Sequence, residues 1–286
     1  MKNTVSKTVA EMVGPKGAGK TWYIAALYRI LLKKGIQIDG VGEIKAEYDA
    51  GLHDLMDKYE KGRLENTTGF KHAELEVYLS NEKGNKRIRF PKIRFIDSEG
   101  GKLDGDLLDF HEEEHTHLIA VYSCAEMIAN MRPNSMEQKL VDRYLNSANT
   151  MQHLEEYRNQ EKRMQGVIKT EYTYNQGNVI CIFTQFDVLF QKGHGEDEPK
   201  TVYKMANANP YIRESHCVFS SSDMRWVDKP NSKLFDLSPF YILLLDQIDR
   251  MDLGIMGKLK VSKLKSFLEN EIKDSEQRHW KYWGTE

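Results

Sequence analysis

The run Gly14-Pro15-Lys16-Gly17-Ala18-Gly19-Lys20-Thr21 constrains this chain more than any other stretch. It fits G-x-x-x-x-G-K-[ST], a loop whose backbone N–H groups wrap a row of phosphates. The flanks agree with the motif. Residues 8–13 (Thr-Val-Ala-Glu-Met-Val) read as a short strand entering the loop, and residues 22–32 read as a helix leaving it. Strand, glycine turn and helix together aim a helix N-terminus and its amides at an anion. In that frame Gly14, Gly17, Ala18 and Gly19 let the backbone close on phosphate, and Lys16 attracts it. Lys20 reaches the β- and γ-phosphates, and the Thr21 hydroxyl ligates Mg²⁺.

Such a loop needs a second acidic element for the metal. Asp97-Ser98-Glu99-Gly100 supplies it: an aspartate at the end of an apolar strand, then a glycine three residues on. The Asp97 carboxylate at a strand tip reaches the metal, and the Gly100 N–H contacts the γ-phosphate.

Composition sets the class. The chain has 286 residues, 40% hydrophobic and 29% charged, enough for a sizeable buried core. Its net charge of −2 gives no basic field that would point to nucleic acid. Cys124, Cys181 and Cys217 lie in or beside apolar β-like runs and read as small buried hydrophobes. The start, Met1-Lys2-Asn3-Thr4, has no apolar leader, and no stretch reaches the roughly 18 apolar residues of a membrane span. A cytoplasmic setting is the expectation.

Strands and helices then alternate. After a helix stop at Lys34-Gly35, residues 43–61 read as helical, on Ala46, Tyr48, Leu52, Leu55, Met56 and Tyr59. Residues 72–80 alternate apolar and polar, residues 81–85 read as a hairpin turn, and 87–97 read as the returning antiparallel strand. Buried strands are expected at 118–122, 178–183 and 216–220. Helices are expected over most of 125–165, over 202–212 ending near Pro210, and over 239–251 and 258–281. This order predicts an α/β fold: a mostly parallel, doubly wound sheet of P-loop NTPase type with one antiparallel hairpin strand, plus C-terminal helices. The expected division is 1–252 for the nucleotide domain and 253–286 for a helical extension.

These elements, in this order, resemble the Ras-like GTPases of the translation-factor-related class over residues 7–250. Thr67-Thr68-Gly69-Phe70 is similar to the Thr-x-Gly-Phe of Arf-like members, which implies that Thr67 or Thr68 is the switch threonine closing on magnesium. Thr184-Gln185-Phe186-Asp187 is similar to the [NT]KxD guanine motif, which implies that Asp187 accepts from the guanine N1 and 2-amino groups. Ser220-Ser221-Ser222 stands in the place of the family's Ser-Ala-Lys loop, with Ser221 at the base. The chain departs from the family twice: Gln185 replaces the lysine over the base, and Gly101 stands where a water-positioning glutamine is usual. Arg63, four residues before Thr67, is a candidate cis arginine for transition-state charge, and Glu99 a candidate water-positioning group.

The resemblance implies a GTP-binding protein that hydrolyses GTP to GDP with Mg²⁺. Its Thr67 loop and Gly100 region would change when the γ-phosphate leaves. It also implies a protein effector or activating partner and a nucleotide-dependent oligomer. The pattern is similar to GTPases of bacterial and phage conflict systems. Two rivals stay open: an ATPase of an assembly or defence complex, favoured by Gln185, and a non-hydrolysing nucleotide-binding module, favoured by Gly101.

Two other signals carry less. His111-Glu112-Glu113-Glu114-His115 matches H-E-x-x-H, but its glutamates suit a solvated helix and it lacks a third ligand. Lys258, Lys260, Lys263 and Lys265 read as a solvated face, because Glu269, Glu271, Asp274 and Glu276 follow them.

Overall fold

The structure, a computed structural model, describes residues 8–64, 72–81, 87–97, 115–131, 150–175, 179–187, 202, 204, 206, 208–213, 215–228, 234–251 and 255–283. Thr67, Thr68, Glu99, Gly100, Gly101 and His111 lie outside these residues.

β1 (Thr8–Val13) leads through the glycine loop into α1 (Lys20–Arg29). A π-helical turn over Ile30–Lys34 ends that helix at Gly35. β2 (Ile36–Ile38), β3 (Gly42–Ala46) and α2 (Ala50–Glu60) follow. A long hairpin comes next, each arm broken once: β4 (His72–Leu75) and β5 (Val77–Ser80), then β6 (Arg87–Arg89) and β7 (Ile93–Asp97). The chain continues with β8 (His115–Ser123), α3 (Cys124–Met131), α4 (Thr150–Asn175) and β9 (Val179–Thr184). α5 (Pro210–Arg213), β10 (His216–Phe219), α6 (Met224–Val227), α7 (Ser238–Arg250) and α8 (Ile255–Trp283) complete it.

The central sheet has six strands in the order β10-β9-β8-β1-β7-β4. All are parallel except β4, which pairs antiparallel with β7 at the edge. Successive side chains leave a strand on opposite faces, so a sheet covered on both sides needs continuous apolar runs. The runs at β8 and β9 do this. Ile119, Val121, Ile180 and Ile182 enter one cluster, with residues of α1, α7 and α8. Leu118, Ala120, Tyr122, Val179, Cys181 and Phe183 enter the other, with Met127, Met164 and Ile168. Each such side chain contributes about 1.5–3 kcal/mol by burial. The fold is therefore the expected doubly wound α/β sheet with one antiparallel strand and C-terminal helices. α8 buries Leu264 and Leu268 in the first cluster.

Four local expectations need correction. Residues 43–61 are not one helix. Gly42–Ala46 is a strand whose two edges are taken by β2 and β5, and the helix begins only after Asp49, whose carboxylate accepts the Leu52 N–H at 2.8 Å. The far half of the hairpin leaves the main sheet. β5 and β6 join β2 and β3 in a second, antiparallel four-stranded sheet. The arms break at Glu76 and at Pro91, whose carbonyl accepts from the buried Gln247. The span 202–212 is not one helix: residues 202, 204, 206 and 208 are helical, Asn209 is a bend, so that helix ends just before Pro210 as expected, and Pro210 starts a second, short one. A proline tolerates the first helical position, and Asn209 Oδ1 accepts the Tyr211 N–H at 3.0 Å as its cap. Finally, His115 opens strand β8 opposite Thr8, so it is not a helical partner for His111.

Candidate functional site

The glycine loop sits at the carboxyl end of β1, where parallel sheets bind ligands. Its glycines are dictated by space. A Cβ on Gly14 would lie 2.4 Å from the Val121 carbonyl oxygen, so no side chain fits there. Gly19 has φ +91° and precedes α1, and a Cβ on it would press to 3.2 Å from Thr184 Oγ1. No side chain caps α1 and its first turn has no acidic residue, the condition under which a helix N-terminus attracts an anion. Lys20 is buried, and its Nζ donates to the carbonyls of Gly14 (2.8 Å) and Pro15 (3.3 Å), spanning the turn it would share with phosphates. Thr21 is buried at the next position. Lys16 and Gly17 are exposed at the rim, and Ala18 is buried behind them.

Asp97 reaches the same end of the sheet. β7 runs beside β1 with Asp97 opposite Met12, two residues before Gly14. Arg63 is exposed just beyond α2, its N–H donating to the Lys58 carbonyl at 2.8 Å. The neighbouring Leu64 carbonyl accepts from Trp22 Nε1 of α1 at 3.3 Å, so this segment is tied to the helix that follows the loop.

The second cluster is built where β9 ends. The Thr184 hydroxyl lies against the carbonyls of Ala18 and Tyr122, so it bridges the glycine loop, β8 and β9. Gln185 follows with φ +56°, the one positive φ outside glycine among the described residues. Such conformations cluster at functional sites because the surroundings must hold them. Here the holder is Ser123, whose hydroxyl donates to Gln185 Oε1. Asp187 is buried and accepts the Ser221 hydroxyl at 2.6 Å. Its charge, after burial itself, pushes the Cys124 thiol up.

Ser221 is fixed in turn by its N–H on the Leu234 carbonyl (2.7 Å), and Ser220 Oγ accepts the Asp236 N–H (3.1 Å). Tyr59 of α2 donates to the Ser222 carbonyl (2.6 Å). Thus Gly14–Gly19, Lys20, Thr21, Thr184, Gln185, Asp187 and Ser221 come together in space from three parts of the sequence, along adjacent strand ends.

Three polar residues here were not singled out from the sequence. Gln160 of α4 accepts the Lys16 N–H at 2.8 Å. Glu126 is buried, with its Oε1 3.3 Å from where a Gly17 Cβ would stand. Burial, then the charge of Glu126, push the Glu161 carboxyl up. Asp236 is buried and accepts from Ser238 N (2.8 Å) and Ser275 Oγ (2.6 Å), while its carbonyl takes the Tyr23 hydroxyl (3.0 Å). A signal for Gln160 did exist. It occupies the stripe Tyr157, Gln160, Met164, Ile168, all buried, where a polar residue breaks an apolar helical pattern.

Cys124 and Cys181 are buried as expected; Cys217, in register with Cys181, is only half-buried, its thiol donating to the Ile212 carbonyl at 2.9 Å. Among the described residues there is no cluster of three or more His, Cys, Asp or Glu arranged for a metal, and no helix long and apolar enough to cross a membrane. Lys263 is exposed and Lys265 pairs with Asp249 at 2.7 Å.

No protein-family model matches this chain, and no curated protein matches it. Among solved structures, the GTPase-like domain of S. cerevisiae Ski7, bound to GTP, is similar at 13% identity and a TM-score of 0.42. The match covers 88% of this chain and 52% of that one, so the chain spans about half the length of that structure. Likeness at this level decides neither ligand nor activity.

Proposed function

We propose that the chain binds GTP with Mg²⁺ and hydrolyses it to GDP, acting as a nucleotide-dependent switch or assembly factor. The observation that carries this reading is Asp187. It is a buried carboxylate oriented by Ser221, one turn from a threonine that bonds the glycine loop itself. That arrangement supports a reading in which Asp187 accepts from the N1 and 2-amino donors of guanine while the glycine loop holds the phosphates. Adenine offers no such pair of donors at the same edge.

In this reading the Gly14–Gly19 amides and Lys20 hold the phosphates, and Lys16 adds charge at the rim. Thr21 and Asp97, whose backbones lie at one end of the sheet, carry oxygen groups of the kind Mg²⁺ prefers. The ion would offset charge on the β- and γ-phosphates. Thr67, Gly100 and Glu99 are proposed as the groups that respond to the γ-phosphate, and Arg63 as a cation for the transition state. An effector or activating partner, a nucleotide-dependent oligomer and a cytoplasmic setting belong to the same proposal.

The test is calorimetry with GTP and ATP, each with Mg²⁺, on the unaltered protein and on Asp187→Asn. GTP should bind more tightly than ATP. The substitution should weaken GTP by about 10–100-fold, the loss of two hydrogen bonds to a charged acceptor, and leave ATP unmoved. Equal affinity for both nucleotides, insensitive to Asp187, would return the ATPase alternative. A second reading, a module that binds without turnover, is favoured by Gly101 in place of a water-positioning glutamine. Phosphate release over hours with nucleotide bound separates it from the first.

A further inference from the structure

We infer that Gln160 of α4 is a positioning residue for the glycine loop: its carboxamide holds the Lys16 amide, so that the phosphate cradle is shaped before a nucleotide arrives. The inference rests on the nucleotide-binding reading above. Lys16 N donates to Gln160 Oε1 at 2.8 Å across 144 residues of sequence. The glutamine is 7% exposed, and its Nε2 is in turn placed by Glu156 Oε1 at 3.3 Å. Three residues earlier on the same helix face, the buried Tyr157 hydroxyl accepts the Ser123 N–H at 3.0 Å. One face of α4 therefore takes one backbone amide from each of two neighbouring turns, the glycine loop and the β8–α3 turn.

The platform is rigid because Met164 and Ile168 continue the stripe into the apolar cluster beneath β8 and β9. A buried amide side chain costs stability unless its hydrogen bonds are made, and an apolar residue would fill this stripe position at less cost. The glutamine's return is the order it imposes on the loop. A loop already wrapped loses less freedom when phosphate binds, and that saving appears as affinity. The Lys16 side chain is exposed, so with its backbone pinned the ammonium stays at the rim of the cradle.

Gln160→Leu suits the apolar stripe and removes the acceptor. In the full chain with Mg²⁺, it should weaken both GTP and GDP by about tenfold, raise KM and leave kcat within about twofold. The thermal midpoint should not fall, and the Lys16 amide should exchange its hydrogen faster in the nucleotide-free protein. Gln160→Glu keeps an accepting oxygen and should restore slow exchange at Lys16. If the leucine variant does not fold, Gln160→Met is read in the same way. Nucleotide binding unchanged by loss of the carboxamide overturns the inference and leaves the proposed function standing. Tighter binding also overturns it, because Gln160 would then compete with phosphate for the amide. An unaltered protein that binds neither nucleotide overturns both.

Discussion

The two ends of the candidate site are built differently. The end around Asp187 is fastened by buried contacts. Thr184 reaches Ala18, Ser221 orients Asp187, and Asp236 ties the Ser220 turn to α7 and α8. Tyr23 of α1 and Tyr59 of α2 reach the same region through carbonyls. The phosphate rim of the proposed site is open to solvent and held at its backbone. Lys16 and Gly17 are exposed, and the Lys16 N–H donates to the Gln160 carboxamide oxygen. On the proposed function, the difference has a physical logic. A part that discriminates between bases must not adapt, since adaptation would admit the wrong one. A part that receives phosphates has to stay open to solvent, and needs only its backbone held ready.

The largest expected effect tests the phosphate end. Lys20→Ala removes the cation that spans Gly14 and Pro15 and that would meet the β- and γ-phosphates. Nucleotide affinity should fall by at least about 100-fold, since hydrogen bonds to a charged group are each worth about 1.5–3 kcal/mol and several are lost together. Calorimetry against GTP gives the answer. Folding stability should change far less, because the bonds of Lys20 to Gly14 and Pro15 are made within its own turn. If Lys20→Ala bound GTP as tightly as the unaltered protein, the cradle would not be the phosphate site and the contrast between the two ends would lose its meaning.

The next effect tests the fastened end through stability. Asp236→Ala leaves the Ser238 N–H, the Ser275 hydroxyl and Arg278 without their shared acceptor in a buried setting. The cost should be about 2–4 kcal/mol, read as a lower urea midpoint. Guanine binding should weaken along with it, because Ser220 and Ser221 lose the segment that fixes them. A loss below about 0.5 kcal/mol would mean that this end is no better fastened than the rim.

How much of this could be read from the sequence follows the range of the interactions. The glycine loop, the Asp97 strand end and the Thr184–Asp187 turn were legible because each is a local pattern next to an apolar run. The strands β8 and β9 were legible because burial on both faces demands unbroken apolar runs. The strand β3 was not. Ile44 and Ala46 merge with the apolar spacing of α2, and only the pairing of β3 with both β2 and β5 shows it to be a strand. Pro210 was legible as a stop, because the helical residues end at 208; that it also starts a short helix was not, because its cap, Asn209, acts through a side chain. The roles of Gln160 and Asp236 depend on partners far along the chain, Lys16 in one case and Ser275 in the other; the break in the apolar stripe marks Gln160 as unusual but does not name its partner, and no local pattern announces Asp236.

The smallest effect sharpens the contrast from the outside of the fastened end. His216 Nε2 meets Ser238 Oγ at 2.8 Å, and its Nδ1 meets Glu276 Oε1 of α8 at 3.2 Å. The contact with His216 holds the Glu276 carboxyl below its ordinary range. A carboxylate lowered in the folded state stabilises the fold at pH values above its unfolded pKa. That contribution is lost as pH falls from the ordinary glutamate range, near 4.5, through the lowered folded value. Glu276→Gln has no such dependence. The unaltered protein should therefore be slightly more stable than Glu276→Gln at pH 7, and the gap should close as pH falls below the ordinary glutamate range. Glu276 is 48% exposed, so solvent screens the pair and the gap should stay well below the effect of Asp236→Ala. Urea midpoints of the two proteins at several pH values measure it. A gap that did not vary with pH would remove the histidine contact from the bonds holding α8, and would leave Asp236 as the group that anchors the base end to the C-terminal helix.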